Sequence, residues 1–170
     1  MATIQRSASV MSAIAALLAG VLLVAMVGHT VLEMVLRAFF NTSTFVLDEF
    51  VGYEVAALTM LGLGHALNTG NLIRVNLLTR LLPPRGQRWM ELASVAIALI
   101  LCAYLCRYHL LAIETAYVRG ARSNTLAATP LWMPMAVFVA GLGVFMIQLL
   151  AYGLRLLGGG GPIRDNHESA

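Results

Sequence analysis

Between Arg6 and Glu33 the chain carries no charged side chain. A helix needs about 20 apolar residues to cross the hydrocarbon core of a bilayer, and this run is longer. A cleavable signal has a shorter apolar region of about 7–15 residues closed by a small-residue cleavage site, so the run predicts an uncleaved first span. Three further apolar runs follow, and the four together predict spans at about 10–36, 50–67, 89–113 and 131–154. None alternates strictly between apolar and polar residues, as strands of a membrane barrel do. Backbone polar groups in hydrocarbon must be satisfied internally, which leaves helices. The expected fold is an all-α integral membrane protein. It has four transmembrane helices in one membrane domain (1–156), a short amphipathic interfacial helix between spans two and three, and a flexible tail (157–170).

Composition agrees. Hydrophobic residues make up 59% of the 170, charged residues only 11%, and mean hydropathy is +0.81. Soluble domains carry about a quarter charged residues, and a soluble chain this short could not hide so much apolar surface. All the basic residues are arginines, eleven of them. They lie mainly in connectors, where they set topology and meet anionic lipid; no nucleic-acid partner is implied. Arg6, Arg74, Arg80, Arg85, Arg88, Arg155 and Arg164 fall on one side, and Arg37, Arg119 and Arg122 on the other, with Arg107 just inside span three. Positive charge marks the cytoplasmic face, so both termini and the Asn68–Arg88 connector are expected there.

That connector carries a strip from Leu72 to Leu82, stopped by Pro83 and Pro84. At 100° per residue, Asn76, Thr79 and Arg80 cluster on one side and Ile73, Leu77, Leu78, Leu81 and Leu82 on the other. Such a strip suits a helix lying in the interface. Arg74 falls in the apolar sector, where it either snorkels to headgroups or pairs with a buried acceptor. Arg74, Arg80 and Trp89 are the expected contacts with lipid or with another subunit.

Ionisable groups at membrane depth normally find a partner. Here they gather toward the other side: Glu33 and Arg37 late in span one, Asp48, Glu49 and Glu54 early in span two, Arg107 and Glu114 late in span three. Glu33 and Arg37 are spaced to pair within one helix, and Glu54 has Arg107 or Arg37 at similar depth. Glu33, Arg37, Glu49, Glu54 and Arg107 are expected to clamp helices together; Glu54 alternatively serves as a proton-coupling carboxylate. His29 and His109 lie at comparable depth, and polar packing is the preferred reading of them; the alternative is a facing pair that holds a b-type haem. Cys102 and Cys106 read as small apolar residues on one helix face. Gly52, Gly62, Gly64, Gly141 and Gly143 permit close helix contact, and Trp89, Tyr117, Trp132 and Tyr152 are placed as interfacial anchors. Ser123, Asn124 and Thr125 turn the chain or cap span four. The chain lacks a phosphate loop, a nucleophile elbow and metal-ligand spacing, so neither catalysis nor a cofactor is expected.

The order of features resembles the small membrane subunit of tripartite ATP-independent periplasmic (TRAP) transporters. Arg37-Ala-Phe-Phe-Asn41, Glu49, Gly64-His-Ala66, Gly70, Ile73-Arg74-Val75 and Pro83 follow the family order, as does the entry to span four, Leu126-Ala-Ala-Thr-Pro130-Leu-Trp132. The resemblance runs from about Arg37 to Gly143. The chain departs from the family at Leu72, where histidine is frequent, and at Asn76, where aspartate is. The resemblance implies a non-catalytic scaffold subunit in a bacterial inner membrane. Its partners would be a large multispan permease subunit and a periplasmic substrate-binding protein, which together take up an organic acid on a sodium gradient. The alternatives from the residues alone are a small proton-coupled transporter using Glu54 and a cytochrome anchor using His29 and His109.

Overall fold

The computed structural model describes residues 2–72 and 83–159. Four helices are described: α1 (Ala2–Phe40), α2 (Leu47–Asn68), α3 (Pro84–Val118) and α4 (Trp132–Leu157). Each is long and apolar enough to cross a membrane. Apart from Leu72, the expected interfacial helix, with Arg74 and Arg80, lies outside the described residues, as does the tail from residue 160.

The helices outrun the spans read from hydropathy, α1 and α3 most of all. Hydropathy registers which side chains favour lipid, whereas a helix continues as long as its backbone bonds propagate. At 1.5 Å per residue α1 is about 58 Å long, against a hydrocarbon core of about 30 Å. The stops are set by local chemistry. Gly70 (φ 71°) and Gly120 (φ 60°) adopt the left-handed conformation just past α2 and α3. At both ends the following amide reaches back to the third-last helical carbonyl, Asn71 to Ala66 and Ala121 to Ala116, each at 2.9 Å. This closure puts the reversing residue in a conformation that favours glycine, which has no Cβ to clash. α3 starts on Pro84, where proline's missing N–H costs nothing.

α4 is the hub, packing against all three other helices; α1 and α2 also pack together, while α3 touches only α4 among the described helices. Lipid-facing helices gain no hydrophobic drive to associate, so backbones must come close. At Gly141 a Cβ would meet the backbone of Met60 and Leu61 at 2.9 Å, so α4 and α2 are in backbone contact there. One turn further along α2, Gly64 sits against Ser12 of α1 and Val144 of α4. α1 offers this junction its small buried residues Ala8, Ser12 and Ala15. Gly52, Gly62 and Gly143, by contrast, face open space. Cys102 is buried in the cluster of Leu67, Leu142 and Leu149, and Cys106 packs against it. A second cluster of Val95, Tyr152 and Leu156 joins α3 to α4.

Gly141→Ala forces a methyl into occupied backbone space and should destabilise the bundle by about 1–3 kcal/mol. Gly143→Ala should leave stability unchanged or slightly raised. SDS unfolding titrations of the two variants check the contrast.

Candidate functional site

The polar groups concentrate at the two ends of the bundle. At the end formed by the α1–α2 and α3–α4 connectors, Glu33 is only 2% exposed. Arg37, one turn on, donates from Nε to Glu33 Oε1 at 2.8 Å. The α1–α2 connector then folds back over the same carboxylate. Ser43 Oγ donates to Oε1, and Thr44 donates to Oε2 from its amide at 3.0 Å and its hydroxyl at 2.6 Å. Four donors thus address one acid, which is how a carboxylate is kept out of water at tolerable cost. The connector bends through Asn41 (φ 49°) and Phe45 (φ 57°). These left-handed conformations are strained for residues with a Cβ, and the bonds to Glu33 hold the segment between them. Ser43 and Thr44 escaped the sequence reading; the available signal was two hydroxyl residues in a short linker ten and eleven residues past an acid.

Glu49, in the first turn of α2, accepts from Tyr53 Oη at 2.8 Å on one oxygen and from Thr125 Oγ1 on the other. Thr125 belongs to the α3–α4 connector, a tight reversal in which Arg122 bridges Pro130 and the Ser123 amide donates to Thr129 O at 2.9 Å. Ser123 and Thr125 therefore turn the chain and tie it to α2. The cap on α4 is Leu131, without a side-chain bond, so the capping role open to this segment is not used.

Glu54 pairs with neither Arg37 nor Arg107. It is half-buried, and its Oε2 is buried without a hydrogen-bond partner among the described residues. Arg107 is exposed and makes no ion pair or hydrogen bond among those residues. His29 and His109 are not brought together. His29 meets Phe50 of α2 edge-on at 5.9 Å. His109 stacks on Phe138 of α4 at 4.6 Å, with Nδ1 2.9 Å from Leu105 O, and α1 does not pack against α3.

The opposite end, where α2 and α4 finish and α3 begins, has its own ties. Arg88 donates from Nη2 to Leu156 O, which also accepts from the Gly159 amide at 3.3 Å, and, at 3.0 Å, to Leu157 O, binding α3 to the last turn of α4. Tyr152 Oη donates to Glu91 Oε2 at 2.8 Å, and Gln148 Nε2 donates to Asn68 Oδ1 at 3.0 Å. Tyr152 was expected as an interfacial anchor; at 3% exposure it is a core residue instead, because its ring lies on the α3-facing side of α4. Trp89 is 73% exposed, and Tyr117 meets Trp132 edge-on at 5.9 Å. Arg74 and Arg80 lie outside the described residues.

This chemistry holds helices at fixed positions. Glu33→Gln keeps the shape but removes the charge to which four donors point, and the midpoint of thermal unfolding should fall by on the order of 5 °C. Glu54→Gln, which neutralises an acid with a partnerless oxygen, should leave the midpoint unchanged or raise it. Melting curves of the detergent-solubilised variants check the pair.

Comparison with known families matches residues 26–158 to the family described as Tripartite ATP-independent periplasmic transporters, DctQ component. Comparison with curated proteins and with solved structures gives no match. The match takes in all of α2, α3 and α4 and the Glu33 cage, and it coincides with four helices able to span a membrane. The chain belongs to the DctQ family and is a multi-pass small permease component of a TRAP transporter.

Proposed function

We propose that this subunit is a non-catalytic brace. It would hold the fixed scaffold of a large multispan permease subunit, to which a periplasmic substrate-binding protein delivers an organic acid for uptake on a sodium gradient. Family membership carries this reading. The bundle supports it, since the contact between α2 and α4 at the middle of their length is backbone against backbone, with no room for a solute. Residues 1–156 form the single membrane domain and 157–170 a short tail. The chain sits in the bacterial inner membrane with both termini cytoplasmic, as the arginine distribution favours. In this arrangement the Glu33–Arg37 and Glu49 ties face the periplasm and brace the helices. Arg74, Arg80 and Trp89 meet lipid headgroups or the large subunit at the cytoplasmic face.

A second reading is favoured by one observation, the partnerless buried oxygen of Glu54. A carboxylate at membrane depth with an oxygen left open is the kind of group a small proton-coupled transporter requires. The two readings part on a single measurement. As a brace, the chain alone in liposomes moves no organic acid, and it co-purifies with a large membrane subunit. As a transporter, it moves solute alone, and Glu54→Gln abolishes that movement without unfolding the protein.

Orientation has its own test. Asn124 is exposed in the α3–α4 connector and Arg85 is exposed at the start of α3. A membrane-impermeant maleimide should label Asn124→Cys in intact spheroplasts and Arg85→Cys only after permeabilisation. The opposite pattern would invert the topology.

A further inference from the structure

Resting on the brace reading, we infer that the face of α3 bearing Arg107 and Glu114 is the seat for one transmembrane helix of the large permease subunit, and that this helix presents a carboxylate opposite Arg107. Among the described residues α3 packs against no helix but α4, which leaves most of its circumference uncovered by them. Apolar exposure of that kind, as at Ile97, Ile100 and Leu101, is ordinary against lipid. An arginine there is not, because a charge at membrane depth is costly unless paired. Counting about 20 residues of hydrocarbon-spanning helix from Leu92, the first after Glu91, sets the far edge near Leu111. Arg107 then lies about 6 Å inside it. The chain's other outer-end arginine in a span, Arg37, is neutralised by Glu33; Arg107 has no such acid among the described residues.

The surroundings of Arg107 are shaped for a helix. Ala103, Cys106, Arg107, Leu110 and Glu114 recur along one side of α3 and, with Met146 of α4, line an open groove of about 470 Å³. Its length, from Ala103 to Glu114, is about 16 Å, or three turns. The small side chains of Ala103 and Cys106 let a neighbouring backbone approach. The charges run cation then anion, two turns apart. A helix bearing the opposite order matches both, whereas a lipid phosphate matches Arg107 and leaves Glu114 unmatched. The exposed face of α1, from Val10 to Val31, has only apolar large side chains exposed, which suits acyl chains.

A photo-crosslinking amino acid placed at Ala103, Leu110 or, on α1, Val21 tests the seat in membranes that hold the large subunit together with this chain. Positions 103 and 110 should crosslink to the large subunit, and position 21 should not. Arg107→Leu should cut the amount of large subunit recovered with the chain at least tenfold while leaving the chain's own thermal midpoint unchanged. The seat is overturned by crosslinks to the large subunit from position 21 alone. It is equally overturned by crosslinks from 103 and 110 only to lipid or to a second copy of this chain, or by full recovery with Arg107→Leu. In those cases co-purification by the unaltered chain still upholds the brace. If the unaltered chain recovers no large subunit, the brace itself fails and the seat fails with it.

Discussion

Everything in this bundle hangs from the contact of α4 with α2 at Gly141. In water, a four-helix bundle is held by the exclusion of solvent from an apolar core. In lipid that drive is missing, and helices adhere through close packing and hydrogen bonds. The missing Cβ at Gly141 lets two backbones touch, and Gly64 one turn along α2 admits Ser12 of α1 to the same junction. α3 adds a layer on the outside of α4, and its own polar ties to α4 lie near its N-terminal end, through Arg88 and Glu91.

The polar ties sit at the ends because hydrogen-bonding groups are cheapest near the membrane–water boundary. Their design differs between the two ends. At the connector end, acids collect hydroxyl and amide donors from loops: Glu33 from Ser43 and Thr44, Glu49 from Thr125. At the other end, side chains on the helices themselves make the ties: two neutral amides, a phenol donating to the Glu91 carboxylate, and an arginine on helix-end carbonyls. The loops at the connector end are thereby pinned, including the left-handed Asn41 and Phe45 that α1 and α2 require for their reversal.

The four helices were legible because spanning is a relation between one segment and the bilayer, which a run of apolar residues states by itself. The turns at Gly70 and Gly120 were not read from the sequence, although a glycine just past a helix is a local signal for such a stop. What the sequence does not carry is azimuth. Five glycines read alike, yet only Gly64 and Gly141 turn toward a neighbour. Tyr152 at a span end reads as an anchor, and rotation of α4 buries it. Glu54 and Arg107 share a depth, but they sit on helices that do not pack against one another, so depth alone proposed a pair that the packing forbids. The donors to Glu33 were hidden for a related reason: a connector's fold is set by what it covers, and no periodic pattern announces it.

Fixed points are distributed along the whole contact between α2 and α4. Near one end, Glu49 is tied to Thr125 in the connector that leads into α4. In the middle, Gly141 lies against Met60 and Leu61. Near the other end, Asn68 accepts from Gln148. Packed helices rearrange by sliding, and a ratchet of one turn is about 5.4 Å. A slide of that size separates both hydrogen-bonded pairs and drives residues with side chains into the space at Gly141. Since all three contacts fail together, intermediate positions gain nothing, and the pair is held in one register. A helix pair built this way resists shear along the helix axes.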